Sequence, residues 1–254
     1  MLGRVVDLAL LLPRLLVGAQ RVTMPKGFSR ELVLRDSDFG VRVRVGGRDP
    51  IQGLLQQLRQ LHLGLVEKLG TDGAVALCSP KAGEGRSMIA TNLAITMAHD
   101  TGRPVVLMDL DLADPHLHEL LDLEASPGFT DFHEGASVDV MLQPTGVPGL
   151  QVITAGSQVV DSARLLQSGR IESILTQLKE RGAFVVVDTP SALDKVDARI
   201  IAERVEGVVT VVKLGSTRRS DLAPYYRAFG DLPLLGVACN YHEQWIPGWI
   251  QRFL

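Results

Sequence analysis

With 254 residues, 46% of them apolar and 22% charged, the chain has material for one sizeable core, or one core with an appendage. Its net charge of -3 excludes nucleic acid or an anionic membrane as partners attracted by bulk charge, so any such contact must be local. Cys78 and Cys239 both sit at the ends of apolar runs and read as reduced, buried thiols of a cytosolic protein rather than a disulfide framework.

The opening stretch, MLGRVVDLALLLPRLLVGAQ, is apolar but interrupted by Asp7, Pro13 and Arg14. It falls short of the roughly 18 unbroken apolar residues of a spanning helix, and no small-residue cleavage site follows it. Residues 1–50 are expected to form an N-terminal extension whose fold the pattern leaves open, with GVRVRVGGRDP at 40–50 a candidate edge strand. Leu54, Leu55, Leu58, Leu61 and Leu65 then recur at helical spacing, which predicts an amphipathic helix over 51–69 feeding the core domain.

From residue 73 the rhythm changes. Six short, valine-rich runs follow: GAVALC (73–78), PVVLMD (104–109), GLQVIT (149–154), AFVVVD (183–188), GVVTVV (207–212) and LLGVAC (234–239). Continuous apolar runs of this length suit strands buried on both faces. Helical stretches are expected between them near 87–100, 161–181, 195–204 and 217–229. The alternation predicts an α/β fold, a doubly wound and mostly parallel sheet with helices on both faces. Ligands of such sheets bind at the carboxyl ends of the strands, so function is to be sought just after each run.

Chemistry collects at three of those ends. After the first comes SPKAGEGRSM, residues 79–88, where Gly83 and Gly85 permit positive φ and close approach of backbone amides to phosphate oxygens. The helix opening at Arg86 or Ser87 adds its positive dipole end, and the Ser87 hydroxyl suits Mg²⁺. After the second come Asp109 and Asp111, pointing the same way at a spacing of two; the fourth ends at Asp188. A glycine loop, a strand end with two aspartates and another with a single aspartate together point to nucleotide binding. Other chemistries find little: His116, His118 and His133 lack partners at metal-ligand spacing, no nucleophile elbow occurs, and RVRVGGR has no aromatic platform for nucleic acid.

SPKAGEGRS, VVLMDLDLADPHLHELLDL and FVVVDTP together resemble the deviant P-loop ATPases that include MinD and ParA. Within them the chain is most similar to the bacterial tyrosine kinases of capsule and exopolysaccharide synthesis, through Asp109, Asp111, Pro115 and His118 of the second signature. SPGFTDF (126–132), LQVITAG (150–156) and VKLGSTRRSDL follow the same order, so the similarity spans about 70–240. The resemblance implies ATP or ADP with Mg²⁺ as cofactors. It implies that Gly83, Glu84, Gly85, Arg86, Ser87 and Met88 hold the phosphates, that Ser87, Asp109 and Asp188 hold the metal, and that Asp109 or Asp111 assists catalysis. Asn240 stands where these proteins contact the base; an asparagine there also suits a turn cap.

Departures from the pattern matter as much. Arg86 stands where the loop lysine belongs, keeping the charge but changing a compact ammonium for a wide planar fork. Lys81 occupies the place of the signature lysine that reaches phosphates, often across a dimer; it reads either as that catalytic charge or as a plain loop lysine. The chain has three tyrosines, Tyr225, Tyr226 and Tyr241, and no terminal cluster of acceptors. In the leading helix Arg59 is kept from the family's oligomerisation motif, while Gly53 and Gln56 fill its other two places. Ala113 follows the two aspartates where a basic residue is common. WIPGWIQRFL closes the chain with Trp245, Ile246, Trp249, Ile250, Phe253 and Leu254 on one face, a short tail suited to lipid, to a partner or to its own domain.

The expectation is therefore an extension (1–50), a P-loop kinase-like domain (51–242) and an amphipathic tail (243–254). Its expected work is Mg-ATP-dependent, tyrosine-kinase-like, in exopolysaccharide or capsule biosynthesis or export, attenuated by Arg86. The protein is expected in the cytoplasm at the inner face of the membrane, held by a membrane co-polymerase or chain-length regulator, as a homodimer or larger oligomer and without nucleic acid. The alternative is a MinD-like positioning ATPase that uses residues 245–254 as a membrane switch.

Overall fold

The computed structural model describes residues 33–35, 50–133, 136–159 and 161–240, with side chains described from Leu54 onward. The candidate strand at 40–50, Tyr241 and the amphipathic tail lie outside the described residues.

Among the described residues one sheet of eight strands forms: β1 (Val33–Arg35), β2 (Ala74–Cys78), β3 (Val105–Asp109), β4 (Gln143–Pro144), β5 (Leu150–Ile153), β6 (Phe184–Asp188), β7 (Gly207–Lys213) and β8 (Leu234–Asn240). Their order is β1-β8-β7-β2-β6-β3-β5-β4. The inner six run parallel, and the short edges β1 and β4 run antiparallel to β8 and β5. All six runs expected as strands are strands, each within about a residue of the expected bounds.

Every residue of β2, β3 and β6 is buried, which is why these strands read as continuous rather than alternating. Successive side chains divide between two cores. On one face Ala76, Cys78, Val106, Met108, Val185 and Val187 pack with Ile171, Ile174 and Leu178 of α5 (Arg170–Glu180). On the other, Val75, Leu77, Leu107 and Val186 pack with α1 (Pro50–Leu69) and α2 (Arg86–Thr101). Leu54, Leu58, Leu61 and Leu65 of α1 all join this second core; burying each such leucine is worth about 1.5–3 kcal/mol. Lying between the sheet and α1, α2 is buried on nearly all sides, including Ile89, Ala90, Leu93, Ala94 and Met97.

Single-helix expectation over 161–181 is corrected to two helices, α4 (Ser162–Leu166) and α5. Gly169, at φ 78°, puts a left-handed turn between them, a conformation glycine takes without a Cβ clash. The remaining α-helices among the described residues are α3 (Leu117–Leu121), α6 (Asp197–Ala202) and α7 (Arg219–Phe229). Among the described residues no helix is long and apolar enough to cross a membrane.

Candidate nucleotide site at the strand ends

Strand order brings the chemistry together. β6 lies between β2 and β3, so the glycine loop after β2 faces the carboxylates that end β6 and β3, and Asp109 sits directly beside Asp188 in the ladder. Gly83 and Gly85 both take left-handed φ, 74° and 85°, bending the loop back into the first turn of α2. Consecutive amides in such turns form an anion-binding concavity, reinforced by the helix terminus.

Arg86 opens α2 and turns inward. Its Nε donates to Asp188 Oδ1 at 3.2 Å, its Nη1 to Ser79 Oγ at 2.7 Å and its Nη2 to Asp111 Oδ2 at 3.1 Å. The guanidinium thus ties the ends of β2, β3 and β6, with its side chain 8% exposed and that of Asp188 3%. Asp188 is further bonded by the Ser87 side chain; burial nevertheless pushes its carboxyl up from the usual range, against the pull of Arg86. Asp109 accepts the backbone amides of Asp111 and Leu117, at 3.1 and 3.2 Å. Burial first, and the neighbouring Asp188 second, push its carboxyl up to about 8. Asp111 is partly exposed, and burial raises it as well while Arg86 opposes the rise.

Glu84 does not turn toward the loop concavity. Its buried carboxylate accepts the Lys81 amide at 3.1 Å and the Thr217 hydroxyl, so its side chain pins the loop to the segment after β7. Expected phosphate contacts at Glu84 are thereby reduced to its backbone. Asn240 Nδ2 donates to the Glu84 carbonyl at 3.0 Å, an arrangement in which the asparagine braces the loop. Lys81 pairs with Asp221, in the first turn of α7. Met88 is half-buried against the second core, one residue into the helix from Ser87.

Four contributors escaped the sequence reading: Ser79, Thr217, Asp221 and Thr189, whose hydroxyl donates to the Leu77 carbonyl beneath the loop at 2.9 Å. Only Asp221 carried a signal, an acid in the first turn of a helix within VKLGSTRRSDL. The SPGFTDF segment turns out to be a brace: Asp131 Oδ2 accepts from Ser126, Gly128 and Ser157, joining it to the turn after β5. Tyr225 is fully buried, its hydroxyl 3.0 Å from Thr210 Oγ1 and its ring stacked on Phe229, so it is closed to a phosphate donor; Tyr226 is partly exposed.

A glycine loop between a buried strand and a helix, faced by carboxylates from two adjacent strand ends, defines a P-loop NTPase architecture. The comparisons carry this further: residues 71–211, more than half of the chain, match the family model described as ParA, NUBPL iron-transfer P-loop NTPase. The chain belongs to this ParA-like family and, within it, to the bacterial tyrosine-kinase group.

It is 31% identical over 170 residues to the tyrosine-protein kinase YwqD of Bacillus subtilis, covering 66% of this chain and 71% of that one. It is 29% identical over 173 residues to the tyrosine-protein kinase ptk of Acinetobacter johnsonii, covering 68% of this chain and only 23% of that one. The chain thus spans less than a quarter of the Acinetobacter relative. The kinase domain of the Escherichia coli tyrosine kinase ETK shares the fold, with a TM-score of 0.69 at 20% identity over 76% of this chain and 77% of that one. So does the septum site-determining protein MinD of Pyrococcus horikoshii, solved with Mg-ADP, at TM-score 0.54 and 19% identity over 65% and 68%.

Proposed function

We propose that the chain is an ATP- or ADP-binding, tyrosine-kinase-like protein of exopolysaccharide or capsule biosynthesis or export, with phosphoryl transfer attenuated. The observation that carries the reading is Arg86: the cation of the phosphate loop is tied into the carboxylates of β3 and β6. A lysine at this place is a free-swinging point charge, whereas the fork is anchored on three elements and cannot follow a moving phosphoryl group.

The loop from Gly83 to Met88 would hold the phosphates through its amides, the helix terminus adding to the attraction. By type, the oxygen donors of Ser87, Asp109 and Asp188 fit a hard cation such as Mg²⁺, which would neutralise charge between terminal phosphates. Asp111, partly exposed and with one oxygen on Arg86, is better placed than the buried Asp109 to take a proton from a hydroxyl acceptor. Lys81, paired with Asp221, would have to leave that partner to act on phosphate.

The proposed setting is the inner face of the membrane, through a membrane co-polymerase or chain-length regulator, with the domain at 51–242 flanked by the extension at 1–50 and the tail at 243–254. Kinship with the capsule kinases supports this setting over the MinD-like one. Arg59 supports a reduced tendency to ring assembly, because it is engaged within the chain by Asp100.

Phosphate release and tyrosine autophosphorylation, measured on the wild type and on Arg86→Lys, test the reading. The wild type is expected to bind ATP with little turnover and the lysine variant to gain at least about tenfold, or about 1.4 kcal/mol of barrier. Robust autophosphorylation by the wild type would overturn the attenuated assignment.

A further inference from the structure

We propose that Arg86 is a resident cation competing with Mg²⁺ for the strand-end carboxylates, so that the chain binds nucleoside di- or triphosphates without requiring the metal. The inference rests on the nucleotide-binding reading above and concerns what holds the negative charge of that site.

The occupancy of the donor oxygens is the first support. Asp188 Oδ1 receives Arg86 Nε, and the same carboxylate is bonded by the Ser87 side chain. Asp111 Oδ2 receives Arg86 Nη2. Asp109 gives one oxygen to the Asp111 amide and the other to the Leu117 amide. Mg²⁺ takes near-octahedral oxygen ligands at about 2.0–2.1 Å and parts with its waters reluctantly. Arg86 takes Oδ1 of Asp188 and Oδ2 of Asp111, so a metal ion ligated by the other oxygen of either carboxylate, or bound through water, must sit beside a fixed positive charge.

The anchoring is the second. Each nitrogen group of the fork has its own partner, on the ends of three adjacent strands, and a third partner, Ser79, is itself held by donating to the Lys81 carbonyl at 2.8 Å. With Arg86 and Asp188 both nearly fully buried, releasing the fork would strand carboxylates that burial already disfavours. A lysine would reach one acceptor at a time and leave the others to the metal.

Location is the third. Arg86 is the first residue of α2, where the helix terminus already favours an anion, and a cation lodged there adds to the attraction for phosphate.

The test is calorimetric titration of ADP into the full wild-type chain, in Mg²⁺ buffer and in EDTA, with Arg86→Lys run beside it. The wild-type Kd is expected to change less than about threefold between the two buffers, while the lysine variant binds at least about tenfold tighter with Mg²⁺. Wild-type binding in Mg²⁺ but not in EDTA would overturn this inference and leave the nucleotide-binding reading standing. No binding heat from wild type in either buffer would overturn that reading and this inference with it. The wild-type arms decide on their own, so a lysine variant that fails to fold does not rescue the proposal.

Discussion

Helix α2 carries an arginine–aspartate knot at each end, and the two differ in almost everything but their chemistry. At its N-terminus Arg86 meets Asp188 and Asp111 with side chains 8%, 3% and 17% exposed. At its C-terminal end Asp100 receives Nε and Nη2 of Arg59 from α1, at 2.6 and 2.9 Å, with side chains 22% and 51% exposed. In both knots the charge on α2 lies at the end of the helix dipole that disfavours it, and a partner from another element offsets it. Distance is not what separates them, since the exposed pair is the shorter. Water does: at the C-terminal end solvent screens the pair and competes for it, while at the N-terminal end each group depends on its protein partners.

The largest consequence is expected at the dry end. Asp188→Ala leaves Arg86 buried without one of its two carboxylates and should lower stability by about 3–5 kcal/mol in urea unfolding. A loss below about 1 kcal/mol would break the comparison, because it would mean that the N-terminal knot is as well hydrated as the other.

Arg59→Ala should cost well under about 1 kcal/mol after discounting for exposure, and the difference from wild type should vanish near 1 M salt. The Arg59 hydrogen bonds hold the Asp100 carboxyl below its usual value. A depressed acid adds stability above its unfolded pKa, near 4, and that contribution is lost as pH falls through the folded value. Unfolding curves of the two proteins should therefore converge in acid; a gap that persists there would assign Arg59 a packing role instead.

The smallest expected effect is no reaction at all. Cys78 ends β2 beneath the Arg86 knot, and burial pushes its thiol up to about 11. Native wild type at pH 8 should leave Cys78 unmodified by a disulfide reagent, read by mass spectrometry, with reaction appearing only on unfolding or as pH approaches the raised value. Modification in Asp188→Ala under the same conditions would sharpen the contrast by showing that Asp188 keeps this end dry.

Much of this architecture was legible in the chain. The six valine-rich runs are strands because burial on both faces asks only for continuous apolar residues, a property each run carries locally. Leucine spacing in α1 was equally local, and so were the glycines whose positive φ shapes the loop. The break at Gly169 was missed because a glycine inside a helical pattern is often tolerated, and only the packing of α4 and α5 chooses the turn. Edge strands β1 and β4 are three and two residues long, too short to show a period.

At the site, residue types were readable and their partners were not. Arg86, Asp109, Asp111 and Asp188 stand out by kind and by their places after strands, and this is what a sequence determines: which groups are available, and on which end of which element. Strand order is a choice among long-range pairings that no local pattern encodes, and it alone set Asp109 beside Asp188 and Arg86 between β3 and β6. The same holds for Lys81 with Asp221 and for Glu84 with Thr217, partners about 130 residues or more apart along the chain. Composition and spacing determined a nucleotide-type loop in a doubly wound sheet. The tertiary structure decided that its arginine turns inward, because buried carboxylates brought together by strand pairing must find a cation, and Arg86 lies within reach of both Asp111 and Asp188.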